Sequence, residues 1–123
     1  MKKKLFNYIK STKILDYCLS KKGAFVDYPF GFDYITVKIK FGNKSRIFAE
    51  IFVHSNKLYM TFSTDEITAQ YLRSSYSSII VNGWHCPPVQ AKYKSTVDID
   101  SVSHEIWQSL IDMSYDRAVS NLR

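Results

Sequence analysis

The sequence predicts an α+β domain of two layers, in which an antiparallel sheet of about five strands carries its helices on one face. Two observations point there. Residues 33 to 62 alternate apolar and polar across three short runs separated by turn residues, which is the period of half-buried antiparallel strands. Both ends of the chain instead repeat their apolar residues at helical spacing. The resulting order, α-β-β-β-α-β-β-α, is met by packing the helices against one side of an antiparallel sheet.

At the N-terminus, Leu5, Ile9, Leu15 and Leu19 recur near helical spacing from Lys3 to Ser20, with Ile14 and Cys18 widening the stripe and Gly23 ending it. Ser11 and Thr12, both good N-caps, offer the start of a second helix instead. In the first strand, Asp33 to Phe41, the inward set is Ile35, Val37, Ile39 and Phe41. Gly42-Asn43 turns the chain into Arg46 to His54, where Ile47, Ala49, Ile51 and Val53 point inward. Ser55-Asn56 turns it again into Lys57 to Phe62, with Leu58, Met60 and Phe62 inward. Ser63 followed by Glu66 matches a capping box, so a helix is expected from Thr64 to about Ser75. Two more strands, Ser78 to Val81 and Tyr93 to Ile99, flank a loop broken by Pro87-Pro88. Ser101 or Ser103 caps a last helix, whose stripe runs through Ile106, Leu110, Ser114, Ala118 and Leu122 beside Trp107, Ile111, Tyr115 and Val119.

With 123 residues, 46% hydrophobic and 23% charged, the chain suffices for one core without disulfides or a structural metal. No repeat or linker divides it, so residues 1 to 123 are read as one domain, with residues 1 to 10 a lysine-rich extension. The longest aliphatic run is Ile79 to Val81, far short of a membrane span, and no signal-peptide pattern follows the first lysines. A soluble, cytoplasmic protein with no membrane partner is expected. The net charge of +6 is concentrated at the front: residues 1 to 22 hold seven lysines against Asp16, and from Gly23 onward ten basic and ten acidic residues cancel. A second cluster, Lys38, Lys40, Lys44, Arg46 and Lys57, has only Glu50 against it.

Tests for catalysis fail. There is no phosphate-binding glycine loop, nucleophile elbow or H-E-x-x-H pair. Cys18 and Cys86 stand apart, and His85-Cys86 lacks further ligands at zinc spacing. Asp98 and Asp100 lead into a helix start, where carboxylates cap donors. No enzymatic activity, metal or cofactor is expected.

The segment Asp27-Tyr28-Pro29-Phe30-Gly31 resembles the D-x-P-F-G segment of the MmcQ/YjbR-like family of small bacterial domains. The resemblance runs from Thr12 to Leu122 through Tyr17-Cys18-Leu19, Gly23-Ala24, Phe48-Ala49, Gly83-Trp84-His85, Thr96-Val97 and Ser114-Tyr115. The chain departs from the family's N-K-x-H-W-N after G-Y-H, and Lys22 stands where the family carries proline. The resemblance implies a fold similar to type III secretion chaperones and a DNA-binding role. In the D-x-P-F-G segment, Pro29 fixes φ, Gly31 permits a turn and Phe30 is expected to plug the gap between helix and sheet.

The outward side of the meander is the candidate site. It is read as Tyr34, Thr36, Lys38 and Lys40 on the first strand, Arg46, Phe48, Glu50, Phe52 and His54 on the second, and Tyr59 and Thr61 on the third, with Lys44, Lys92 and Lys94 adding charge. Cations that neutralise phosphates beside rings that stack on bases are what DNA or single-stranded nucleic acid requires. The same face also suits a homodimer or protein partner, because its aromatics are costly to leave exposed together. A third reading folds residues 84 to 94 over it.

Overall fold

The computed structural model describes residues 2–29, 31, 33–81 and 88–122, with side chains from Asn7 onward and without that of Pro88. Helix α1 (Lys2–Leu19) leads into β1 (Ala24–Asp27), β2 (Tyr34–Phe41), β3 (Lys44–His54) and β4 (Lys57–Ser63). Helix α2 (Glu66–Ser75), β5 (Ile79–Val81), β6 (Lys94–Asp98) and α3 (His104–Leu122) complete the chain. The six strands form one antiparallel sheet in the order β1-β2-β3-β4-β6-β5. The α+β class and the helix-bearing face are therefore as the sequence predicts, and β1 is the additional strand.

Strand β1 escaped the periodicity because it is only four residues long and half-buried throughout. Gly23 sets its start. It holds φ at +82°, and its carbonyl accepts a hydrogen bond from the Lys40 amide at 3.1 Å, which extends the β1–β2 ladder by one step. A Cβ there would lie 3.2 Å from the Lys40 carbonyl oxygen. Gly23→Ala combines that crowding with a left-handed backbone, and a loss of about 1–3 kcal/mol is expected in chemical denaturation.

The first helix is continuous. The Ser11 and Thr12 hydroxyls donate to the Tyr8 carbonyl at 2.9 Å instead of capping a new helix. The lysine-rich extension is consequently no loose tail. Asn7 is buried and donates to the Asn56 carbonyl at 3.0 Å in the β3–β4 turn, and Lys10 pairs with Asp100 at 2.8 Å. Helix α2 begins two residues later than the expected capping box allows. Asp65 is its N-cap and accepts from the Thr68 amide at 2.8 Å, so the first-turn donor is satisfied by a carboxylate rather than by Ser63.

Ile35, Val37, Ala49, Ile51, Met60, Val97 and Ile79 share the helix side by register. They pack with Ile14 and Cys18 of α1, Leu72 of α2, and Trp107, Leu110, Ile111 and Leu122 of α3. Burial pushes the Cys18 thiol up to about 12, which keeps it protonated and unreactive. Phe41 and Val53, expected inward, are instead 60% and 51% exposed, each near a hairpin end. A polar clamp joins α1 to α3: Asp112 accepts from Tyr17 at 2.7 Å and from Lys21 at 2.5 Å. No described helix is long and apolar enough to cross a membrane.

Candidate nucleic-acid interface

The site begins with a β-bulge. Val37 pairs with Ala49 and Lys38 with Ile47, which leaves Phe48 as an extra residue in β3. Strict alternation would place Phe48 outward and Ile47 inward. The extra residue shifts the parity: Phe48 joins the core at 1% exposure, edge-on to Tyr115 of α3 with centroids 5.3 Å apart, and Ile47 moves beside Lys38. The expectation that Phe48 faces outward for stacking is therefore corrected.

Beyond the bulge, β3 and β4 part. Their ladder ends at Glu50 opposite Thr61, so Ala49 with Phe62 and Phe48 with Ser63, which would continue it, are not paired. Ser114 of α3 fills the fork. The Ser63 amide donates to Ser114 Oγ at 2.9 Å, and that hydroxyl donates to the Phe48 carbonyl at 2.6 Å. One buried side chain thus replaces the missing interstrand bond.

Three rows cross the helix-free side of the sheet. Tyr34, Phe52 and Tyr59 form a stacked aromatic row, with centroid separations of 4.9 and 5.8 Å. Tyr34 and Phe52 are only 7% and 6% exposed, so they do not form the open stacking platform expected from the sequence. Thr36, Glu50, Thr61 and Thr96 follow as a buried polar row, in which the Thr61 and Thr96 hydroxyls share a hydrogen bond at 2.8 Å. Lys38 and Lys94 lie in the third row. Lys38 pairs with Asp27 at 2.8 Å, and Lys94 lies 3.6 Å from Glu50.

At the fork this third row borders a cleft of about 410 Å³, between the strands and the C-terminal half of α3. Lys38, Arg46, Lys94 and Arg117 line it together with the polar side chains of Ser63, Gln90 and Asn121, and none of the described residues lining it is acidic. The acids that offset Lys38 and Lys94 stand outside it, and no described carboxylate forms an ion pair with Arg46. Arg117 lies over the Tyr93 ring at 4.7 Å from its centroid. Arg73 steadies the approach by donating to the carbonyls of Ala91 and Lys94, each at 2.6 Å. A neighbouring cleft of about 380 Å³ shares Arg117 and Asn121, but Asp65 and Asp116 line it too, so its charge is mixed.

The strand cations expected from the sequence thus converge in part. Lys38, Arg46 and Lys94 meet at the cleft, Lys40 stands opposite Ser45 on its rim, and Lys44 is exposed at the hairpin end. Lys92 is exposed and lies over the Tyr93 ring at 5.2 Å. Arg117, Gln90 and Asn121 were missed, since nothing in a helical stripe or a Pro-rich loop says which distant strands they will meet.

In the D-x-P-F-G segment, Asp27 is structural. Its carboxylate accepts from Lys38 and from the Tyr28 amide, both at 2.8 Å, and the Lys38 bond above all holds it below the ordinary carboxylate range. A depressed carboxyl contributes stability above its unfolded pKa and loses it as pH falls through the folded one. Tyr28 and Pro29 are exposed, and Gly31 turns the chain at φ +98°, with its amide donating to the Tyr28 carbonyl. Phe30, Gly83 and His85 lie outside the described residues. Among the described residues, no group of three or more His, Cys, Asp or Glu is placed to hold a metal.

A six-stranded antiparallel sheet with three helices on one face and a cationic cleft at its fork defines a small α+β domain. The YjbR family model matches residues 19–117, and the chain belongs to that family. A Deinococcus radiodurans protein with a DUF419 domain has a similar fold, with a TM-score of 0.70 and 24% identity, over 81% of this chain and 71% of that one. A Pseudomonas syringae protein from a structural genomics programme superposes with a TM-score of 0.68 and 15% identity, covering 87% of this chain and 97% of its own. No curated protein matches.

Proposed function

We propose that the protein is a non-catalytic DNA-binding domain that holds phosphates through the cleft cations and through Lys40 and Lys44 beside them. The observation that carries this reading is the convergence of four basic side chains on a cleft with no acid among the described residues that line it. Phosphate contacts supply the sequence-independent part of DNA affinity and make it salt-dependent. Burial of Tyr34, Phe48 and Phe52 removes the stacking contribution on which single-strand preference would rest. Duplex is therefore favoured over single strands.

A mobility-shift series with duplex DNA, single strands and RNA at several salt concentrations tests this. Lys40→Ala with Lys44→Ala is expected to lower the slope of log K against log salt by about 0.9 for each phosphate that is no longer neutralised. Lys2, Lys3 and Lys4 changed together to Gln should leave most of the affinity in place. The reverse pattern would assign binding to the helix end alone. Absence of binding to every nucleic acid at low salt would favour a protein partner, for which α2 offers Ile67 and Tyr71, 80% and 67% exposed and one helical turn apart.

A further inference from the structure

We infer that the cleft at the β3–β4 fork is a pocket for a single terminal phosphate, a dianionic phosphate monoester, rather than another stretch of the surface that follows the DNA backbone. This rests on the proposal that phosphate is the ligand. It adds which kind of phosphate the cleft selects.

Three features separate this cleft from a basic surface. It is concave, and its volume of about 410 Å³ falls within the range of small-ligand sites. Its described lining is basic and neutral only: Lys38 and Lys94 have carboxylates nearby in Asp27 and Glu50, Arg117 has Asp65 on its other side in the neighbouring cleft, and Arg46 forms an ion pair with no described carboxylate. A backbone phosphodiester carries one negative charge and a monoester close to two near neutral pH, so the monoester gains more from a lining of four cations with no described acid among them. Guanidinium forks also bind phosphate oxygens in pairs, while Gln90 and Asn121 supply neutral amide donors on the same walls.

The fold holds the pocket open. Ser114 ties both sides of the fork, so the strands neither close nor fray there. Tyr93 lies under Arg117, and Arg73 fixes the carbonyls on either side of Tyr93. A site whose walls are already tied loses less ordering entropy on binding.

The experiment compares two short DNA duplexes of one sequence, one with 5′-phosphates and one with 5′-hydroxyls, by fluorescence anisotropy, with inorganic phosphate and a nucleoside 5′-monophosphate as competitors. The phosphorylated duplex is expected to bind about tenfold or more tightly, the size of gaining charge-assisted hydrogen bonds to one group. Arg46→Gln and Arg117→Gln should erase that difference, and Arg117→Lys, which keeps the charge without the fork, should erase most of it. Lys40→Ala with Lys44→Ala should weaken both duplexes alike. Melting curves confirm that each variant is folded. Equal binding of both duplexes by the wild type overturns the inference and leaves the DNA reading standing. Binding of the nucleoside monophosphate without either duplex, lost in Arg46→Gln, upholds the pocket with a free nucleotide as its source and overturns the DNA reading. No binding of any of the four probes overturns both.

Discussion

Phe48→Ala is expected to destabilise the protein by about 3–5 kcal/mol, as a large-to-small change in a closed core. Its ring is 1% exposed and packs edge-on against Tyr115, so truncation removes both apolar burial and the aromatic packing between sheet and α3. For a domain of this size, a fall in Tm of about ten degrees or more follows. The outward placement suggested by simple alternation makes a different forecast, namely unchanged stability with weaker binding to single strands. Thermal denaturation together with a single-strand titration separates the two. A variant that melts like the wild type would show that the bulge does not turn Phe48 inward.

Ser114→Ala is expected to cost on the order of 2–4 kcal/mol, although only one oxygen is removed. The hydroxyl accepts from the Ser63 amide and donates to the Phe48 carbonyl, and each stranded buried group costs about 1–3 kcal/mol. Ser114 itself is 1% exposed. Denaturant unfolding gives the magnitude, and native-state hydrogen exchange gives the location: the Ser63 amide should lose protection before the β4–β6 ladder does. A loss of stability with Ser63 still protected would mean that the fork closes on itself and re-forms the interstrand bond.

These two residues mark where reading the chain stops working. The class, the meander, both long helices and the membership of the YjbR family were legible, because each depends on local periodicity, turn residues or short ordered motifs. Ser114 too was visible, but only as one position of a helical stripe. Its hydroxyl spans 51 residues to Ser63 and 66 to Phe48, and no local pattern encodes partners at that distance. The bulge at Phe48 was hidden for a related reason. An extra residue changes the face of those on its far side, yet a run of alternating residues reads the same whether or not its partner strand skips one.

The candidate site divides along the same line. Its strand cations, Lys38, Lys40, Lys44 and Arg46, are apparent as a local excess of charge, and Lys94 as part of the last strand. That Lys38 and Lys94 would be offset by Asp27 and Glu50 depends on neighbours across the sheet. That Tyr34 and Phe52 would stack on each other instead of facing a ligand depends on the β2–β3 register. By itself, then, the sequence determined the kinds of element, their order, and a surplus of positive charge on one hairpin, all of which arise within a few residues along the chain. Tertiary structure alone decided that β3 and β4 part, that α3 enters the fork, and that Arg117 joins Arg46 in one cleft. Those outcomes require contacts between segments far apart in sequence, and they follow from how buried backbone groups find partners when a regular ladder is interrupted.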